Sequence, residues 1–205
     1  MKISLEQVGK KFQKHWIFRN VGFRFSAPNS YAILGANGSG KSTLMRLIAG
    51  MQTPSAGKLH HELNGKAIEE GALFPHVSLC APGMEIIDEM TLQEFLTFHF
   101  SHKKLQKGLS VNDVIRLTGL ERFAYKPVGA YSSGMKQRVK LAQALFADTP
   151  LLLLDEPCTN LDEAGVNQYL EWVNHFSSGR LIIVASNDPR EYSFCTETVL
   201  MSDWK

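Results

Sequence analysis

No apolar stretch in the sequence approaches the roughly 20 residues that a helix needs to cross a bilayer; the unbroken runs, such as LLLL at 151–154, have the length of strands. Cysteine is scarce. Cys80, Cys158 and Cys195 are odd in number, far apart and without a C-x-x-C pair. That excludes a disulfide framework or a zinc finger and points to a reducing compartment. Neither sign of charge dominates: the formal net charge is +2, too small for nucleic acid to be the expected partner. The stretch MKISLEQVGKKF lacks the apolar core of a signal peptide, and no internal repeat or low-complexity linker interrupts the chain. A soluble protein is expected, and if it serves a membrane, another chain does the spanning.

What is present suits one large domain or two lobes sharing a core: 205 residues, 44% apolar and 20% charged. Lys2, Lys10, Lys11, Lys14, Arg19 and Arg24 crowd the first 24 positions against the single acid Glu6, as a solvated face would. VGFRF (21–25) alternates apolar and polar positions, the period of a half-buried strand. Pro28-Asn29 turns the chain into YAIL (31–34), and KSTLMRLIA (41–49) reads as a helix stopped by Gly50. KLHHEL with Asn64-Gly65 predicts a hairpin, and HVSLC (76–80) a further strand.

The pattern then turns helical. Thr91 and Glu94 form a capping box, Ser110 and Asp113 start a second helix that Gly119 ends, and MKQRVKLAQALF after Gly134 is amphipathic. From Pro150 strands and helices alternate again: LLLL, a helix over 163–177, LIIVAS, a short helix near 190, and TVLM. The expected fold is α/β: a P-loop core lobe (1–81 and 148–205) with an N-terminal antiparallel β region and an inserted helical subdomain (82–147), all within a single domain over 1–205.

GANGSGKS (35–42) matches G-x-x-x-x-G-K-[ST], after a strand and before a helix, as phosphate binding requires. Gly35, Gly38 and Gly40 let backbone amides curl around phosphates without Cβ clashes, and Asn37, Ser39 and Thr43 complete the loop and helix start. Lys41 can reach the β- and γ-phosphates, and the Ser42 hydroxyl can ligate Mg²⁺. In LLLLDE (151–156), Asp155 ends a buried strand, placed to hold the Mg²⁺, and Glu156 follows as a carboxylate suited to polarise a water. These residues imply a nucleotide-binding enzyme. Ser132, Ser133 and Gly134 open a second helix whose amides also invite an anion.

YSSGM-KQRV, then a strand ending in DE, then TNLD (159–162) resembles the ATP-binding cassette family in its signature, Walker B strand and D-loop, in family order. The resemblance covers almost the whole chain. It implies ATP and Mg²⁺ as cofactors and a second cassette packed head to tail, whose γ-phosphate is capped by Ser132, Ser133 and Gly134. It further implies transmembrane permease partners, and a cytoplasmic, peripheral place at the inner face of the cell membrane. The aromatic that stacks on adenine corresponds to Phe12, with Trp16 as runner-up. Asn187 corresponds to the family's γ-phosphate-contacting His, and a neutral amide there donates a hydrogen bond but takes no charge.

The chain departs from the pattern at Ser133 and Met135 in the signature, and at Ala81-Pro82-Gly83, where the family places a Mg²⁺-sensing Gln. The leading reading is the ATP-hydrolysing subunit of an ABC transporter. A degenerate cassette that holds ATP with little turnover is the alternative. A mechanical DNA-repair ATPase would need coiled coils that these residues lack, and a translation-associated member normally fuses two cassettes.

Overall fold

The structure, a computed structural model, describes residues 1–69 and 71–204. The chain runs β1 (Lys2–Phe12), β2 (His15–Ser26), β3 (Ser30–Leu34), α1 (Lys41–Ile48), β4 (Ala56–Leu63), β5 (Lys66–Ala67) and β6 (Val77–Cys80). It continues through α2 (Leu92–His102), α3 (Val111–Thr118), α4 (Ser133–Leu145), β7 (Leu151–Asp155), α5 (Glu163–Phe176), β8 (Leu181–Ala185), α6 (Pro189–Tyr192) and β9 (Glu197–Leu200). Two sheets form. The antiparallel one has the order β2-β1-β4-β5, and the parallel one β6-β7-β8-β3-β9. Among the described residues, no helix is long and apolar enough to cross a membrane.

The strand sequences follow from what covers each face. In β7, Leu151 and Leu153 join the core shared with the antiparallel sheet and α1, while Leu152 and Leu154 join the core shared with α2–α5. β8 divides likewise, Ile183 and Ala185 to one side and Ile182 and Val184 to the other. A parallel strand buried on both faces must be apolar at every position, and each buried Leu or Ile contributes about 1.5–3 kcal/mol. The same parity sends Asp155 to the α1 side of the sheet, toward the glycine loop.

Local signals explain most boundaries. Asn64 and Gly65, with φ of 51° and 79°, make the tight turn between β4 and β5. Thr91/Glu94 and Ser110/Asp113 both close reciprocal capping boxes, and Gly119 ends α3 at φ 69°. α4 begins at Ser133, two residues before the apolar run, because Ser132 takes the extended cap conformation and accepts from Met135 N. Its far end is held by Arg180, which donates to Leu145 O (3.0 Å) and Ala144 O (3.3 Å). Burial lowers the Arg180 pKa to about 10; carbonyls at the helix C-terminus and the Thr149 hydroxyl accept from its Nη1 and Nη2, while its buried Nε has no partner among the described residues.

Candidate functional site

The loop between β3 and α1 is shaped by positions that admit only glycine. Gly40 sits at φ 105°, and a Cβ there would lie 2.5 Å from Ile17 Cγ2. A Cβ on Gly35 would lie 2.7 Å from Ser39 Oγ. β2 therefore presses against the loop from one side and Met201 from the other. No side chain caps the start of α1, so its first amides stay available to an anion. Lys41 is 5% exposed, and its ammonium donates to Gly35 O at 2.6 Å, inside the curl of the loop.

Asp155 stands at the end of β7 opposite Ser42. Burial raises its pKa, the Ser42 hydroxyl beside it opposes that rise, and the Glu156 charge adds to it. Its Oδ1 is buried with no hydrogen-bond partner among the described residues. A carboxylate oxygen without a donor, next to a hydroxyl, is a set of hard oxygen ligands that fits a divalent cation such as Mg²⁺.

Glu156 has φ 45°, a left-handed conformation that costs a non-glycine residue about 1–3 kcal/mol. Neighbouring bonds hold it there. Its N–H donates to Ala185 O at 2.9 Å, and its carbonyl accepts from Thr159 N (3.2 Å) and Thr159 Oγ1 (2.9 Å). Asn187, in the turn after β8, reaches the glycine loop: its Nδ2 donates to Asn37 Oδ1 at 3.1 Å, and its Oδ1 accepts from Gly35 N at 3.4 Å. Lys41, Ser42, Asp155 and Asn187 thus converge on one loop, with Glu156 next to Asp155.

Ser132, Ser133 and Gly134 do not join them. With Arg138, Asn160 and Asp162 they line a separate depression of about 360 Å³. Gly134 packs so tightly on the loop after β7 that a Cβ would lie 2.9 Å from Asn160 O. Arg138 pairs with Asp162 at 3.5 Å, and Asp162 also caps α5 through Gly165 N. Phe12 and Trp16 face each other's strands near the tip of the β1–β2 hairpin, 48% and 40% exposed, each with a lysine over its ring. A cavity of about 810 Å³ lies elsewhere, between β4, α2 and the segment 49–54, and none of the expected site residues lines it.

Two buried residues beside Glu156 were not singled out by the sequence. Gln137, 3% exposed, donates to Pro157 O at 2.6 Å, and Glu191, 5% exposed, accepts from Cys158 N at 2.7 Å. Only the amphipathic period around Gln137 was legible; nothing local marks either side chain as buried.

Comparison with known proteins agrees with this geometry. Residues 18–159 match the family model described as ABC transporter. The uncharacterized ABC transporter ATP-binding protein YxlF of Bacillus subtilis is 30% identical over 99% of this chain and 70% of its own length. The cytochrome c biogenesis ATP-binding export protein CcmA of Paramagnetospirillum magneticum is 33% identical, over 83% of this chain and 81% of its own. Among solved structures, an ATP-binding subunit of an ABC transporter superposes with a TM-score of 0.83 at 24% identity, covering 98% of this chain and 85% of that one. A dimeric ATP-binding cassette in a post-hydrolysis state bound to ADP and Pi gives 0.79 at 21% identity, over 97% and 93%. With the phosphate loop, the parallel sheet and the match spanning most of its length, the chain belongs to the ABC transporter family, as one of its ATP-binding cassettes.

Proposed function

We propose that this cassette binds MgATP on residues 35–43 and hydrolyses it, and that two cassettes close head to tail so that Ser132, Ser133 and Gly134 of one cap the nucleotide held by the other. The observation that carries this reading is the convergence of Lys41, Ser42, Asp155 and Asn187 on one phosphate loop, with Glu156 next to Asp155 and the second anion-seeking helix start lining a separate depression. Within one chain the depression at the start of α4 shares no lining residue with the phosphate loop. A second copy turned around supplies what the first lacks.

In this scheme the amides of 35–41 and the Lys41 ammonium bind the phosphates, and Ser42 with Asp155 would hold the Mg²⁺, which supplies charge neutralisation when bound. Glu156 orients and deprotonates the attacking water, and Asn187 donates a neutral hydrogen bond toward the γ-phosphate. Phe12 contacts the adenine, with Trp16 beside it. The catalytic lobe comprises 1–81 and 148–205 and the helical lobe 82–147. The chain works as the engine of a transporter, peripheral at the inner face of the membrane through permease subunits. The rim of the large cavity supports such a contact, because Met51 and Phe74 are 62% and 57% exposed there. Relatives are named for lantibiotic transport and for cytochrome c biogenesis export, so transport is their shared theme while the cargo differs. A cassette that merely holds ATP is not favoured: Lys41, Asp155 and Glu156 are all in place.

Two substitutions test the reading. Lys41→Ala should abolish ATP binding in isothermal titration. Glu156→Gln should keep binding while lowering phosphate release by about 10²–10⁴-fold, the usual worth of a general base. Wild-type affinity in the first, or wild-type turnover in the second, would refute the assignment.

A further inference from the structure

Gln137 and Glu191 grip opposite ends of one peptide group. The carbonyl of Pro157 and the N–H of Cys158 belong to the same peptide unit, and they point in opposite directions across a rigid plane. Gln137 Nε2 donates to that carbonyl at 2.6 Å from α4 on one side, and Glu191 Oε1 accepts from that N–H at 2.7 Å from α6 on the other. Both side chains are buried, so neither bond is shared with bulk water. The orientation of this peptide is thereby set by side chains from two different helices, α4 and α6.

The peptide lies one residue beyond Glu156. Pro157 separates them, and its ring fixes φ near −65°, leaving few soft torsions through which Glu156 could rotate independently. Glu156 itself is held at φ 45°, a conformation that persists only under external constraint. The two grips also lead somewhere. Gln137 sits four residues after Ser133 on α4, one turn along the same helix face. Glu191 follows Asn187 by four residues, and its own carbonyl is anchored by the Tyr169 hydroxyl at 2.7 Å. We propose that the Pro157–Cys158 peptide is a handle by which Gln137 and Glu191 position the Glu156 carboxylate, so that a load on the start of α4 is felt at the hydrolytic base. Gln137 and Glu191 are positioning residues; neither touches the nucleotide. This inference rests on the reading of Glu156 as the base.

The test compares steady-state phosphate release in wild type, Gln137→Met and Glu191→Leu, each also in the Glu156→Gln background. Each single substitution removes one grip and should lower kcat by about 5- to 30-fold, with KM for ATP held within about twofold because the phosphate loop is untouched. In the Glu156→Gln background neither should lower the residual rate further. The amide oxygen of Glu191→Gln still accepts from Cys158 N, so that variant should return kcat to within about threefold of wild type. Equal losses in both backgrounds, a parallel rise in KM, or wild-type kcat in Gln137→Met would overturn the proposal. Should Glu191→Leu fail to fold, Gln137→Met and Glu191→Gln decide it by the same criteria. Loss of turnover in Glu156→Gln alongside wild-type kcat in Gln137→Met defeats the handle alone, whereas wild-type turnover in Glu156→Gln defeats the base assignment and the handle together.

Discussion

Asn187 is bonded to Asn37: its Nδ2 donates to Asn37 Oδ1 at 3.1 Å, tying the turn after β8 to the tip of the phosphate loop. A residue expected only to face the γ-phosphate also braces the loop that binds it. Asn187→Ala removes this bond and the weaker one from Gly35 N. At about 1 kcal/mol for a neutral hydrogen bond, kcat should fall roughly 3- to 10-fold. Phosphate release unchanged in that variant would make Asn187 a bystander.

The seam between α4 and the loop after β7 is tested at Gly134. A Cβ there would lie 2.9 Å from Asn160 O, a backbone atom that cannot swing aside. Gly134→Ala should cost about 1–3 kcal/mol, a fall in Tm on the order of 2–10 °C. Gly83→Ala, where the nearest atom is the end of the Arg46 side chain at 3.4 Å, is the control and should melt like wild type. Equal melting temperatures for both would show that the seam is looser than its geometry implies.

Much of this was legible in the sequence, for reasons that can be named. LLLL at 151–154 read as a buried parallel strand because both its faces are covered, and the capping boxes at Thr91 and Ser110 carry their partners three residues away. The phosphate loop announced itself because Gly35 and Gly40 sit where a side chain would collide. Gln137 and Glu191 were illegible because their partners lie 20 and 33 residues distant and are backbone atoms, which leave no mark on composition or period. The left-handed Glu156 was equally hidden, since nothing about a glutamate before a proline predicts a positive φ. The start of α4, by contrast, was legible: Ser132, Ser133 and Gly134 were expected to open a helix, and Ser132 caps it.

Acid stability should report on His99. Burial, with help from the Lys103 charge, lowers its pKa from 6.5 to about 4, against the bond between its Nε2 and Gln143 O. The folded state therefore holds His99 neutral where the unfolded chain would protonate it. Its contribution is complete above pH 6.5 and is lost as pH falls from 6.5 toward 4. The full difference amounts to at most about 3 kcal/mol. Urea unfolding at pH 7 and pH 4.5 should show a smaller acid loss in His99→Gln than in wild type, by about 1–3 kcal/mol. Parallel losses would mean that His99 is not a source of acid sensitivity.

The central claim is that ATP is turned over between two cassettes, each lending the start of α4 to the nucleotide of the other. Sedimentation velocity of Glu156→Gln addresses it directly, because a cassette that binds MgATP without cleaving it should stay closed. The account predicts a species of about twice the 22.9 kDa chain mass with MgATP, and the single chain without nucleotide. A single chain under both conditions, with ATP binding confirmed, would contradict it.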